Sequence, residues 1–470
     1  MSEVLEHNCG LVVVHTLIDA YQMIQSLQHR GREAAGIAAI GDKSIDVLKW
    51  SGNVSQFDVN DLYKIFSAPE YHTFMAHVRY ASQGRKDKIL EDAHPHTIGG
   101  TIEHRGSHIF IRDCEMACVH NGQVNPQYLT SLKTNGIESE CDTQALLHYY
   151  KQKGEHELVH SIPGAYLVAI ADKRRKEVIV ARDKTGIKPG ILGSKNGKYG
   201  VASEDIAFRK NRGEYVDNLD PGTIYYFDKE GNYRLQKIIS PNLQQCFFEY
   251  NYLADVDSVM NGVNVRRVRE ILGETLASET PIEDIDFITY LPRCPEVAAR
   301  SFAKQVDLPF SPIFYKMRGE RSFQGSTKAE RTQSIDNNLH LLPGMNISLR
   351  DKTIAILEDS TVRGNTLRRA HELLYTQAGV KKAIILNYTP QIGIIGEDNI
   401  PRGCEFGVDM PPSDNFIARG RTIDEISQFV GMPVHYISLE GMLKSFERAG
   451  IARNDLCTYC IGGKHPFQEK

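Results

Sequence analysis

Residues 352–379 read KTIAILEDSTVRGNTLRRAHELLYTQAG. The apolar run Ile354 to Leu357 has the length and composition of a buried parallel strand. It stops at Glu358-Asp359, turns through Ser360 to Asn365, and restarts as a helix with Leu367, Ala370, Leu374 and Ala378 on one face. Gly379 supplies the helix stop. A strand ending in two carboxylates and turning through glycine into a helix N-terminus offers separate handholds for a sugar phosphate. The carboxylates accept from vicinal hydroxyls, while the turn's N–H groups and the helix dipole receive a phosphate. Acidic-ended strands before helices also occur in α/β folds of other function, so the surroundings must decide.

Outward from this stretch, the chain beyond Pro241 alternates strand and helix. Phe287 to Leu291 reads as a strand, Ala298, Phe302 and Val306 mark a helix, and Ala383 to Leu386 reads as the next strand. That alternation predicts a parallel sheet with crossover helices, whose ligands bind beyond the strands' carboxyl ends, where Leu291 and Leu357 both stop. The first half differs. After Leu11 to Val14 and a helical pattern over Ala20 to Leu27, the segments Met75 to Val78, Met116 to Val119, Leu167 to Ala171, Val178 to Ala181 and Thr223 to Phe227 read as short strands with few helices between them. Stacked antiparallel sheets are expected there, so the chain divides into residues 1–8, 9–240 and 241–470.

With 470 residues, 41% of them hydrophobic, the chain can bury substantial cores and most simply divides into two or three domains. Lys+Arg 55 against Asp+Glu 59 leaves a net charge of -4 with no long basic run, so the sequence offers no surface for nucleic acid or for a membrane. No apolar stretch reaches transmembrane length, Met1 to Asn8 lacks the regions of a secretory signal, and nine cysteines fit a reducing compartment, so a cytoplasmic protein is expected.

Several phrases in the first half, taken together and in order, resemble the class II glutamine amidotransferases, whose nucleophile is an N-terminal cysteine. They are Cys9-Gly10, LQHRGREAAGI from Leu27, HVRYASQG from His77, VHNGQVN from Val119, Asp142-Thr143, ARDKTGIKP from Ala181, ASED from Ala202 and Pro221-Gly222. Singly each is weak: a buried cysteine is more often packing, and Asn-Gly is an ordinary turn. Their shared order carries the likeness. It implies an αββα glutaminase sandwich with Cys9 as nucleophile and its own α-amine as base. Arg79 would bind the substrate carboxylate, Asn121 and the Gly122 N–H would form the oxyanion hole, and Asp142 would hold the substrate ammonium. An amine acts as base only when free, so residues 1–8 are expected to be a propeptide. His94 and His96 have no matching ligand set in the sequence and read as loop histidines.

The opening stretch resembles the signature of type I phosphoribosyltransferases, with Glu358 where Asp is usual and Asn365 where Thr is common. The resemblance implies that Glu358, Asp359, Ser360, Arg363, Gly364, Asn365 and Thr366 bind phosphoribosylpyrophosphate, with Mg²⁺ near Glu358 and Asp359. A glutaminase followed by such a domain resembles the amidophosphoribosyltransferase family, and CFFEYNYLADVDSVMNGVNV from Cys246, FGVDMP from Phe406 and CTYCIGGKHP from Cys457 agree. The likeness covers nearly the whole chain after residue 8. It implies ammonia passing internally from Cys9 to C1 of phosphoribosylpyrophosphate in the first step of purine synthesis, and a homotetramer. Cys246, Cys404, Cys457 and Cys460 occupy the places of the family's iron–sulfur ligands, which implies a [4Fe-4S] cluster; zinc is the competing occupant of four thiolates. Cys114, Cys118, Cys141 and Cys294 have no assigned role.

One departure stands out. Where the family has a glycine-containing pyrophosphate loop after the first strand, this chain reads Pro292-Arg293-Cys294-Pro295-Glu296, with no glycine and two residues lacking an N–H. A basic segment, Lys316 to Arg331 with Arg318 and Arg321, stands where a lid over the substrate is expected. The rival readings are a paralogue acting on another phosphorylated acceptor and a non-catalytic nucleotide-sensing protein.

Overall fold

The computed structural model describes residues 9–67, 70–80, 88–124, 128–130, 132, 139–316 and 339–467. The expected propeptide, and Arg318, Arg321 and Arg331 of the expected lid, lie outside the described residues.

Alternation of apolar and small residues in the first half produces two stacked antiparallel sheets, as expected. One has nine strands and contains Gly10–Val14, which pairs with Tyr71–Arg79 on one side and Lys198–Ala202 on the other. The other has six strands and contains Met116–Val124, paired along its whole length with Gly164–Asp172. Alternate residues of each sheet meet between them: Leu11 and Val13 pack in one cluster with Val119, Leu167 and Val180. The opposite faces are covered by helices, Leu17–Ser26 on the first sheet and Asp142–Ser161 on the second. This is the αββα sandwich that the sequence resemblance implied.

The strands from Phe287 onward form a separate sheet in which Phe287–Tyr290, Thr353–Glu358, Lys382–Asn387 and Val434–Tyr436 lie side by side and parallel. Runs such as Ile354-Ala355-Ile356-Leu357 are apolar on both faces because helices cover both. The helix after the acidic turn differs in one respect from its sequence pattern. It starts at Asn365 as an α-helix, widens at Glu372–Gln377 into π-type turns, and buries Leu373 together with Leu374. Gly379 ends it with φ of 62°.

The two halves share a core. Ala165 and Ile187 of the sandwich pack in the same apolar cluster as Phe247, Phe248 and Tyr250. Buried charges cross the same boundary. Arg30 donates from Nη2 to both carboxylate oxygens of Glu249 at 3.0 Å and also pairs with Glu204, while Lys188 donates to the Gly407 carbonyl at 3.0 Å.

Candidate active sites

The glutaminase residues come from four elements. Cys9 immediately precedes the first strand and is fully buried, and Arg30 Nε fixes its carbonyl at 2.9 Å. Burial pushes the thiol up to about 11, against the lowering effects of a Tyr80 backbone hydrogen bond and of the Arg79 and Lys188 charges. A thiol held protonated in this way requires a base to become a nucleophile. Arg79 ends its strand fully buried, with Nη1 2.9 Å from Glu33 and Nη2 3.5 Å from Asp92. Asn121 and Gly122 sit on the facing sheet. Asn121 donates from Nδ2 to Ser203 Oγ at 3.3 Å, and the same hydroxyl accepts the Leu11 N–H at 3.0 Å. The hydroxyl thereby ties the strand that follows Cys9 to the strand that carries Asn121. Gly122 has φ of 144°, and a Cβ there would fall 1.9 Å from the Ala165 carbonyl oxygen, so the neighbouring strand admits only glycine. Asp142 starts its helix and accepts from the Thr143 N–H at 2.8 Å and the Val124 N–H at 3.3 Å. Burial raises its carboxyl to about 7 despite those donors.

His94 lies in a loop, as read from the sequence, whereas His96 departs from that reading by starting a strand; both are buried. His96 opens a short strand in register with Cys118, and His94 stacks on His77 with ring centroids 4.0 Å apart. The strand pairing that buries them joins segments about 20 residues apart, which no local pattern signals.

The second site lies at the carboxyl ends of the parallel strands, as expected. A cavity of about 520 Å³ is lined by all seven residues assigned to it: Glu358, Asp359, Ser360, Arg363, Gly364, Asn365 and Thr366. Gly364 caps the helix with φ of 78°. Glu358 is held well above the usual carboxylate range by burial and the adjacent Asp359, with Lys316 opposing. Burial lowers Lys316, with Glu358 acting against that shift. Two crowded carboxyls beside each other, the half-buried Glu358 and the buried Asp359, suit a divalent cation, so the residues fit Mg²⁺. Arg363 is turned aside, ion-paired to Asp414 and donating to the Asp409 carbonyl.

The cavity has other walls, of which sequence reasoning placed the loop at Arg293 but missed His29 and Arg32. Arg293 and Cys294 of the glycine-free loop line it, and Cys294 Sγ lies 3.4 Å from the Tyr252 carbonyl. His29 and Arg32, from the glutaminase half, line it too. Both belong to the LQHRGREAAGI phrase, whose amidotransferase resemblance masked a contact to the other domain.

The four cysteines expected together are together. Cys246 and Cys457 are opposite each other in a short parallel ladder, and with Cys404 and Cys460 they line one small apolar pocket closed by Phe248, Phe406 and Met410. The Phe406 N–H points at Cys404 Sγ from 3.4 Å. Among the described residues, no three His, Cys, Asp or Glu side chains are gathered so as to hold a single metal ion. Four buried sulfurs around an apolar space, with a backbone donor to one of them, fit a cluster.

Comparison with known proteins agrees with both halves. Residues 102–238 match the glutamine amidotransferase domain family. The chain is 29% identical to an amidophosphoribosyltransferase of Archaeoglobus fulgidus, covering 95% of this chain and 94% of that one, and 29% identical to one of Bacillus subtilis, covering 99% and 95%. In structure it matches the B. subtilis glutamine phosphoribosylpyrophosphate amidotransferase complexed with ADP and GMP, with a TM-score of 0.80 and 27% identity over 97% of both chains. A structure described as the allosteric regulatory enzyme of purine biosynthesis matches with a TM-score of 0.80, at 26% identity over 97% of this chain and 96% of that one. Among the described residues no helix is long and apolar enough to cross a membrane. Over its full length, in sequence and in fold, the chain is therefore similar to the amidophosphoribosyltransferase family.

Proposed function

We propose that this chain is an amidophosphoribosyltransferase of purine synthesis. Cys9 attacks the glutamine amide, Asn121 and Gly122 receive the developing oxyanion, and Arg79 and Asp142 hold the amino-acid end. Ammonia so released attacks C1 of phosphoribosylpyrophosphate, forming the C–N bond of 5-phosphoribosylamine as the C–O bond to pyrophosphate breaks. The observation that carries this reading is the joining of the two candidate sites in one body. The cavity lined by Glu358 to Thr366 also takes its wall from His29 and Arg32, residues adjoining the Arg30 that fixes Cys9.

Two groups belong to the proposal. Glu358 and Asp359 would hold Mg²⁺, which supplies charge neutralisation to the departing pyrophosphate. Cys246, Cys404, Cys457 and Cys460 would hold a [4Fe-4S] cluster that staples three distant segments. Removal of residues 1–8 frees the Cys9 amine as base, and the mature enzyme works in the cytoplasm as a homotetramer.

One observation favours a second reading. The loop Pro292 to Glu296 offers one side-chain cation, a thiol and a carboxyl to the cavity in place of a run of backbone N–H groups, which suits a different phosphorylated acceptor. Incubation with glutamine, with and without phosphoribosylpyrophosphate and Mg²⁺, separates the readings. Glutamate and pyrophosphate together support the proposal, glutamate alone supports the second reading, and neither supports a non-catalytic protein.

A further inference from the structure

We propose that His94 is a positioning residue for glutamine cleavage, whose imidazole ties the strand carrying the oxyanion hole to the turn carrying the ammonium anchor. This rests on the glutaminase reading above. The pairing of His96 with Cys118 would place His94 opposite His120 if the ladder continued, but Pro95 has no N–H to continue it. The His94 side chain stands in. Its Nδ1 lies 3.2 Å from the His120 N–H and accepts from it, so its proton sits on Nε2, which is 3.3 Å from Thr143 Oγ1. The Thr143 hydroxyl then donates to His120 Nδ1 at 3.1 Å. On the other side His77 Nε2 donates to the His120 carbonyl at 3.0 Å. The residue before Asn121 and Gly122 is thus held at both its N–H and its C=O, and through the same imidazole it is indexed to Thr143, the neighbour of Asp142.

The support beneath His94 is built to keep it there. A Cβ on Gly36 would lie 2.2 Å from the His94 carbonyl oxygen, so the turn sits directly on the strand Ala34–Gly41. The buried Lys49 Nζ donates to the Ala93 carbonyl at 2.9 Å and the Glu91 carbonyl at 3.2 Å, and Asp92 faces Arg79. An imidazole is the group required, because one nitrogen must accept while the other donates across about the width of the ring. A glutamine side chain offers the same pair, and leucine offers neither.

Full-length His94→Leu and His94→Gln enzymes test this, with glutaminase and ammonia-dependent synthesis measured side by side. His94→Leu is expected to lose about 10- to 100-fold in glutaminase kcat, part of what removal of an oxyanion donor costs, with ammonia-dependent synthesis retained. His94→Gln is expected to recover most of the loss. Equal losses in the two variants, or none in His94→Leu, would overturn the proposal. Should His94→Leu fail to fold, Thr143→Val replaces it: lower kcat and higher KM for glutamine are expected, and unchanged constants would overturn the proposal. Imidazole ¹⁵N shifts give a readout independent of activity. A protonated Nδ1 on His94 would reject the positioning role, whereas the expected Nε2–H form in an enzyme without glutaminase activity would place the failure in the assignment of Cys9.

Discussion

Glutamine binding should carry the titration of Asp142. Burial raises this carboxyl from 3.8 to about 7, a displacement equivalent to about 4 kcal/mol in favour of the neutral form. Because the raised group is an acid, the folded chain binds the extra proton between those two values, and the stability it contributes falls as pH rises through that window. Only the carboxylate can neutralise a substrate ammonium, so the apparent affinity follows the ionised fraction. Relative to its limit at high pH, affinity should fall about twofold near pH 7 and about elevenfold near pH 6, then about tenfold for each further unit. The assay is the competitive inhibition constant of the product glutamate between about pH 5.5 and 7.5, a window that lies wholly below the usual pKa of an α-amine, about 7.7 to 8.0. Its side-chain carboxylate is also ionised throughout. Asp142→Asn should bind glutamate weakly and without that slope, which separates Asp142 from His120, whose Nδ1 lies 3.8 Å away. A flat constant in the native enzyme, or the same slope in Asp142→Asn, would refute the reasoning.

Other outcomes are expected. Intact-mass analysis of active enzyme should find a chain beginning at Cys9, and Cys9→Ala should lose glutamate formation while keeping synthesis from free ammonia. Glu249→Gln leaves the buried Arg30 and Lys188 with one fewer counter-charge, and a cost of about 3 kcal/mol should appear as a lower urea midpoint together with weaker coupling of glutamine cleavage to synthesis. Purified protein should contain iron and sulfide and absorb in the visible. Cys460→Ser should lose that absorbance, whereas stoichiometric zinc would end the cluster assignment. Arg293→Ala should weaken acceptor binding by more than it changes glutaminase activity, since Arg293 lines the acceptor cavity with Glu358 to Thr366.

Local signals were legible in the sequence because each is written within a few residues. The run Ile354 to Leu357, the acids after it and Gly364 define a strand, a turn and a helix start without help from elsewhere, and the cavity is where that pattern put it. The order of the amidotransferase phrases likewise pointed to Cys9, Asn121, Gly122 and Asp142 as candidates, and the family resemblance at four cysteines anticipated their common pocket. Partnerships across the fold were not legible. Arg30 and Glu249 are 219 positions apart, and nothing near either residue shows that its charge is to be buried and matched. The role of His94 depends on strand register, since a shift of one residue would turn its ring away from His120. Tertiary structure alone decided which buried charges meet, which histidine holds which peptide group, and that one arginine-bearing loop touches both Cys9 and the cavity at Glu358 to Thr366, because these are settled by sheet stacking and burial and not by the residues on either side.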